Sequence, residues 1–142
     1  MVTLLSGAVG GLVATIVMTV FMMRLGDDSP PPTALFWSKY VGDGTPEDYM
    51  MQGMVLHLIY GIIAGAVFVL LIPIVGLSVA TVGNAVLWGL VWGVVLFVFA
   101  AAFWMMMVLG MEAEMKAVGM FLLFHLIYGA VLGAWVGYGI LG

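Results

Sequence analysis

From Tyr49 to Met111 the chain runs for 63 residues without an Asp, Glu, Lys or Arg. As helix, at 1.5 Å per residue, that stretch would be about 95 Å long, roughly three times the hydrocarbon thickness of a bilayer. It must fold back once. The breakers lie in IPIVGLSVATVGN, where Pro73, Gly76, Ser78, Gly83 and Asn84 cluster. Two similar apolar stretches flank this pair, which predicts four spans at about 3–25, 46–75, 80–110 and 115–141. Inside hydrocarbon every backbone N–H and C=O needs an internal partner, and no strand alternation is present, so the spans are read as helices. The expected fold is an all-α, polytopic membrane protein with four transmembrane helices, forming one membrane domain over 1–142.

Composition excludes the alternatives. The chain is 65% hydrophobic and 7% charged, against about 25% charged in ordinary soluble domains. It has no cysteine, so disulfides and thiolate metal sites are absent. The net charge of −4 removes a basic nucleic-acid footprint. Acid excess with three Lys+Arg is of the kind found in high-salt organisms. The first span has no basic segment before it and is long enough to cross, so it is expected to be a retained helix, not a cleaved signal.

The charges fall in two windows, Arg24–Asp48 and Glu112–Lys116. Four spans put both on one side of the bilayer, with both ends of the chain and the Gly76–Thr81 turn on the other. All three Lys+Arg are then on one side, which the positive-inside rule makes cytoplasmic. The expected location is the plasma membrane, with the ends of the chain outside.

In the first charged window, Thr45-Pro46-Glu47-Asp48 reads as a helix start. It has a hydroxyl N-cap, proline at the first position and an acid closing a capping box. The preceding loop, 26–45, is longer than a hairpin needs. DDSPPPT is a rigid polar turn, and TALFWSKYV pairs Phe36 with Tyr40 and Trp37 with Val41 at i,i+4. This segment is either a short helix lying on the membrane surface or a packed aromatic loop.

The pentapeptide HLIYG occurs at 57–61 and again at 125–129, and holds both histidines of the chain. HLIYGIIAGA (57–66) and HLIYGAVLGA (125–134) also share their closing Gly-Ala, and MMRLGDD (22–28) resembles MMVLGME (106–112). The chain therefore reads as two helical hairpins, about 3–75 with the inserted loop and about 80–141, related as a parallel repeat about an axis along the membrane normal. Gly61 and Gly65, and likewise Gly129, Gly133 and Gly137, form small-xxx-small seams for close helix packing. At 100° per residue His57 shares a face with Met50, Gly53, Met54, Gly61, Ala64 and Phe68. His125 shares one with Val118, Leu122, Gly129, Leu132 and Val136.

Three site readings follow. An ionisable side chain at membrane depth is a functional candidate, so His57 and His125 come first, with Tyr60 and Tyr128 at i+3 and the Thr15/Thr19 stripe as hydrogen-bonding neighbours. The bland alternative is a pair of structural hydrogen bonds. Methionine comes second, at 13 residues. Met50/Met54 and Met107/Met111 stand at i,i+4, and thioethers with imidazole suit Cu(I). The bland alternative is flexible gap-filling. Third, two histidines at equal depth in a four-helix bundle suit haem b, with Gly61 and Gly129 making room and Arg24 or Lys116 meeting propionates. Hydrolytic motifs are absent: there is no HExxH or GxSxG, and Ser6, Ser29, Ser38 and Ser78 have no base nearby in sequence.

With GAVGGLVATIVMTVFMM and the two HLIYGxxxGA copies in view, the chain resembles small four-helix membrane proteins of haloarchaea and bacteria that have no assigned activity. The resemblance implies a fold and no mechanism. The leading expectation is a non-enzymatic scaffold or accessory subunit, embedded in the lipid bilayer and assembled as a homo-oligomer or in a larger membrane complex. The alternatives are a small-solute or Cu(I) binding or transport protein, and a haem-b subunit.

Overall fold

The computed structural model describes residues 2–112 and 114–142; Met1 and Ala113 lie outside the described residues. Among the described residues there are helices and no strands. Helix α1 is Leu4–Leu25, α2 is Pro32–Tyr40 and α3 is Met50–Ile74, preceded by a 3-10 turn at Pro46–Tyr49. Helix α4 is Val82–Phe99 and widens into a π-helical stretch at Ala100–Val108; α5 is Met115–Gly137. Four segments are long and apolar enough to cross a membrane: Leu4–Leu25, Pro46–Ile74, Val82–Val108 and Met115–Gly137. Each lies within a few residues of its expected bounds.

The helix starts follow local chemistry. Thr3 caps α1 by accepting from Ser6 N at 3.0 Å, and Thr81 caps α4 by accepting from Asn84 N at 3.2 Å. Asp48 accepts from Thr45 N at 2.8 Å and from Thr45 Oγ1 at 3.1 Å, closing the Thr45–Asp48 box. The first turn there is 3-10, so α3 itself begins at Met50. Gly76, at φ +70, turns the chain after α3.

Two glycine seams hold two hairpins. Helix α1 packs on α3, where a Cβ on Gly11 would lie 2.3 Å from Gly61 O and one on Gly65 would lie 2.3 Å from Gly7 O. Helix α4 packs on α5, where a Cβ on Gly89 would lie 2.2 Å from Gly129 O and one on Gly133 would lie 2.4 Å from Ala85 O. The contacts correspond: Thr3, Gly7 and Gly11 take the places of Thr81, Ala85 and Gly89, 78 positions on. The MMxLG match implies a longer spacing of 84. Most of the difference lies within the helix, because the third span has 27 residues against 22 in the first, including the π-helical stretch.

The packing between hairpins is not two-fold. Helix α1 lies against α5 along its length, whereas α3 and α4 barely touch. A sequence difference at matched places accounts for this. Where α1 has Gly10 and Ala14, α4 has Trp88 and Trp92. Gly10 sits against Trp135 and Leu132 of α5, and Ala14 is fully buried. On the other side Trp92 stands between α4 and α3, its Nε1 donating to Ala64 O at 3.2 Å and its ring 6.1 Å from Phe68. Small residues let one helix pair close; a bulky indole spaces the other.

The segment before α3 forms a helix, and it is packed, not simply laid on the membrane. Ala34 of α2 is fully buried against Gly53 of α3. Phe36 lies tilted against Tyr40 at 5.2 Å and meets Trp104 edge-on at 5.4 Å. Tyr40 OH donates to Val108 O at 2.6 Å, and Lys39 Nζ donates to Val108 O at 3.1 Å and to Leu109 O at 3.3 Å. These carbonyls end the third span and lack helical partners, so α2 caps that helix end.

Candidate functional site

The gap left between α3 and α4 is a cavity of about 280 Å³. Its walls carry Thr15, Met18 and Met22 of α1, His57, Tyr60, Gly61 and Ala64 of α3, and Leu96 and Ala100 of the third span. Phe121, Phe124, His125 and Tyr128 of α5 complete the ring. Pro31, Pro32, Thr33 and Phe36 close the charged end, with Trp104 and Met105 beside them. The Trp92–Ala64 bridge stands at the opposite end. Toward the outer surface of the bundle the wall is Ile59 and Ile63, which are 46% and 57% exposed.

Both histidines line this one cavity, yet their surroundings differ. In the second HLIYG copy the polar groups are engaged. His125 Nδ1 is 2.8 Å from Phe121 O, and because a carbonyl only accepts, Nδ1 carries the proton. Tyr128 OH donates across the bundle to Gly61 O at 2.7 Å. In the first copy His57 Nε2 and Tyr60 OH are buried without a partner, and so is Thr33 Oγ1. The expected i+3 pairing of each tyrosine with its own histidine is absent. The partners in the second copy are a carbonyl one turn back on α5 and Gly61 O across the bundle on α3; the matching carbonyl for Tyr60, Gly129 O, lies in the α4–α5 seam against Gly89.

The other expected site residues separate. Thr15 Oγ1 donates to Gly11 O and Thr19 Oγ1 to Thr15 O, both at 2.7 Å, so each threonine satisfies its hydroxyl within α1. Thr15 lines the cavity and Thr19 does not. Met50, Met54, Met107 and Met111 do not line it either. Met107 is 76% exposed, and Met111 falls in the loop beyond Val108, so the two share no helix face. The thioethers near the histidines are those of Met18, Met22 and Met105. Gly61 lines the cavity, but Gly129 is spent on the Gly89 contact, and Gly65, Gly133 and Gly137 likewise serve helix packing. Arg24 and Lys116 are exposed and away from the cavity, so no cation is placed to meet a propionate there. Among the described residues no cluster of three His, Cys, Asp or Glu side chains stands at metal-binding spacing.

Sequence reasoning did not single out Thr33, Trp104 or Met105 for the site. Thr33 lay in a stretch read as a rigid turn, and the roof it forms depends on α2 folding back over the bundle end. No signal within 26–45 points to that fold-back.

Compared with protein-family models, curated proteins and solved structures, the chain matches none.

Proposed function

We propose that this four-span membrane protein is a non-enzymatic binding protein whose ligand is a small, largely apolar molecule held in the cavity around His57, Tyr60 and His125. The observation that carries this reading is where the unpaired polar atoms stand. Of the four buried side-chain polar atoms without a partner among the described residues, Thr33 Oγ1, His57 Nε2 and Tyr60 OH are on the wall of a single apolar cavity, and Trp135 Nε1 is not. Each unpaired group of this kind costs about 1–3 kcal/mol. A bound molecule that pairs with them recovers that cost. A scaffold role accounts for the glycine seams and leaves the cavity and its orphan groups without a purpose. Binding of Cu(I) draws less support, because the four methionines expected as ligands stand outside the cavity.

Native mass spectrometry of protein released from lipid nanodiscs tests the reading. The parent chain is expected to carry one small apolar molecule. Ala100→Phe, which fills the cavity from the third span, is expected to lose it while keeping helix content. A parent chain that is released bare, and gains no thermal stability from any member of a panel of small apolar compounds, overturns the proposal.

We further propose that the two hairpins descend from one duplicated unit, supported by the matched seam contacts. The same reading places the chain in the plasma membrane with its charged loops in the cytoplasm, supported by Arg24, Lys39 and Lys116 lying toward one end of the bundle. The chain has no cysteine, so single cysteines can be introduced as reporters. Ser78→Cys is expected to react with a membrane-impermeant maleimide on intact cells, and Asp43→Cys only after permeabilisation. The reverse pattern overturns the orientation.

A further inference from the structure

Resting on the binding reading above, we infer that the ligand is a neutral, ring-headed lipid of the quinone/quinol class, its head in the cavity and its tail leaving between α3 and α4.

Charge comes first. Among the described residues no Asp, Glu, Lys or Arg lines the cavity. In such an apolar space an unpaired charged headgroup is costly to desolvate. Anionic fatty acids and phospholipids, and cationic amphiphiles, are therefore disfavoured, and the head is neutral.

Hydrogen bonding comes next. The unpaired groups on α2 and α3 are two hydroxyls, Thr33 and Tyr60, and one imidazole nitrogen of His57. Hydroxyls and imidazole N–H donate to a neutral carbonyl oxygen. His57 and Tyr60 are three residues apart on α3, close to one face, so they address the same region of a ligand. On the opposite wall His125 uses Nδ1 as its donor to Phe121 O. Its neutral tautomer leaves Nε2 as an acceptor, suited to a ring hydroxyl. Donors on one wall and an acceptor on the other suit a ring that exchanges carbonyl and hydroxyl oxygens. A plain hydrocarbon pairs with none of them.

Shape supports a flat head. Phe36, Trp104 and Phe121 surround the cavity, and aromatic walls favour planar rings in offset or edge contact. A volume of about 280 Å³ admits a substituted ring and little more. A long tail must leave, and the way out is beside Ile59 and Ile63, where α3 and α4 barely touch and the wall is open to the surface. That surface is the one a bilayer would cover, so entry is from lipid, not from water.

The experiment is a titration of the full-length protein in nanodiscs with decylubiquinone and, separately, its quinol, read by quenching of tryptophan fluorescence. Trp104 lines the cavity and reports occupancy. Saturable, stoichiometric quenching is expected in the parent. Tyr60→Phe and Thr33→Val are each expected to weaken binding about five- to tenfold, the scale of one lost hydrogen bond, with thermal stability unchanged or raised because an orphan group is removed. His57→Leu is expected to weaken it at least as much. Palmitate and hexadecane serve as comparison ligands and are expected not to compete. If the protein binds a co-purifying or panel molecule that neither form of the quinone displaces, the class assignment fails and the binding reading stands. If nothing saturates the site, both fail. If the quinone binds equally well to the parent and to all three variants, it lies elsewhere and the inference is overturned.

Discussion

A single methyl group at Gly129 is expected to unseat the second hairpin. Its Cβ would lie 2.1 Å from the carbonyl oxygen of Gly89, a backbone atom that cannot rotate away. The helices must separate, and each neighbouring contact in the seam loosens with them. Overpacking of this kind costs about 1–3 kcal/mol and more where backbone is the obstacle. In a bilayer the loss is sharper in consequence, because helix association there rests on van der Waals packing and has no hydrophobic drive to fall back on. Gly89→Ala should behave alike, since its Cβ would lie 2.2 Å from Gly129 O. Gly83→Ala and Gly119→Ala are the matched controls. Both glycines are helical, and nothing lies within 4 Å of an added Cβ. These are expected to be neutral or to gain up to about 1 kcal/mol from helix propensity. Thermal unfolding in a mild detergent separates the outcomes. A Gly129→Ala protein as stable as the Gly119→Ala control would show that the seam is not a close-packed contact.

The second large effect is expected at the pair of places that break the two-fold arrangement. Ala14→Trp puts on α1 the residue that α4 carries at the matched place, Trp92. Ala14 is fully buried against neighbours that leave no room for an indole. The substitution should push α1 off α5 and cost about 3 kcal/mol or more. Trp92→Ala does the reverse. It removes the hydrogen bond to Ala64 O and the contact with Phe68, at a cost of about 3 kcal/mol in the range for large aromatic truncations. It also removes the spacer, so α4 should settle toward α3 and the cavity should shrink. Spin labels at exposed Ile63 and Val95 report the first distance, and labels at exposed Ile16 and Leu123 report the other. The first pair should approach in Trp92→Ala, and the second pair should part in Ala14→Trp. An unchanged Ile63–Val95 distance in Trp92→Ala would remove the indole as the cause of the gap.

The histidines show how far a repeated motif can be read. The two HLIYG copies have the same sequence and both reach one cavity, but only one copy has its polar atoms engaged. The identity of a pentapeptide specifies its own helix face. It does not specify what arrives opposite: Tyr128 OH reaches Gly61 O across the bundle, and Tyr60 OH has no such partner. The methionines make the same point in the other direction. Met107 and Met111 look adjacent at i,i+4, but the chain turns at Gly110, φ +65, before Met111 can share a helix face.

What the amino-acid sequence determined by itself was local and periodic. Four spans follow from hydropathy, because backbone groups in hydrocarbon must pair within a helix. The helical start before α3 follows from the Thr45–Asp48 box. The glycines at four-residue spacing marked the faces on which hairpins close. Only the tertiary structure decided which helix pair stayed open, that α2 roofs the opening, and that Thr33, Trp104 and Met105 stand beside the histidines. The reason is physical. Hydropathy and periodicity act along one helix, whereas the cavity is a difference between two helix–helix distances. That difference turns on four side chains, Gly10 and Ala14 against Trp88 and Trp92, whose meaning appears only once their neighbours are in place.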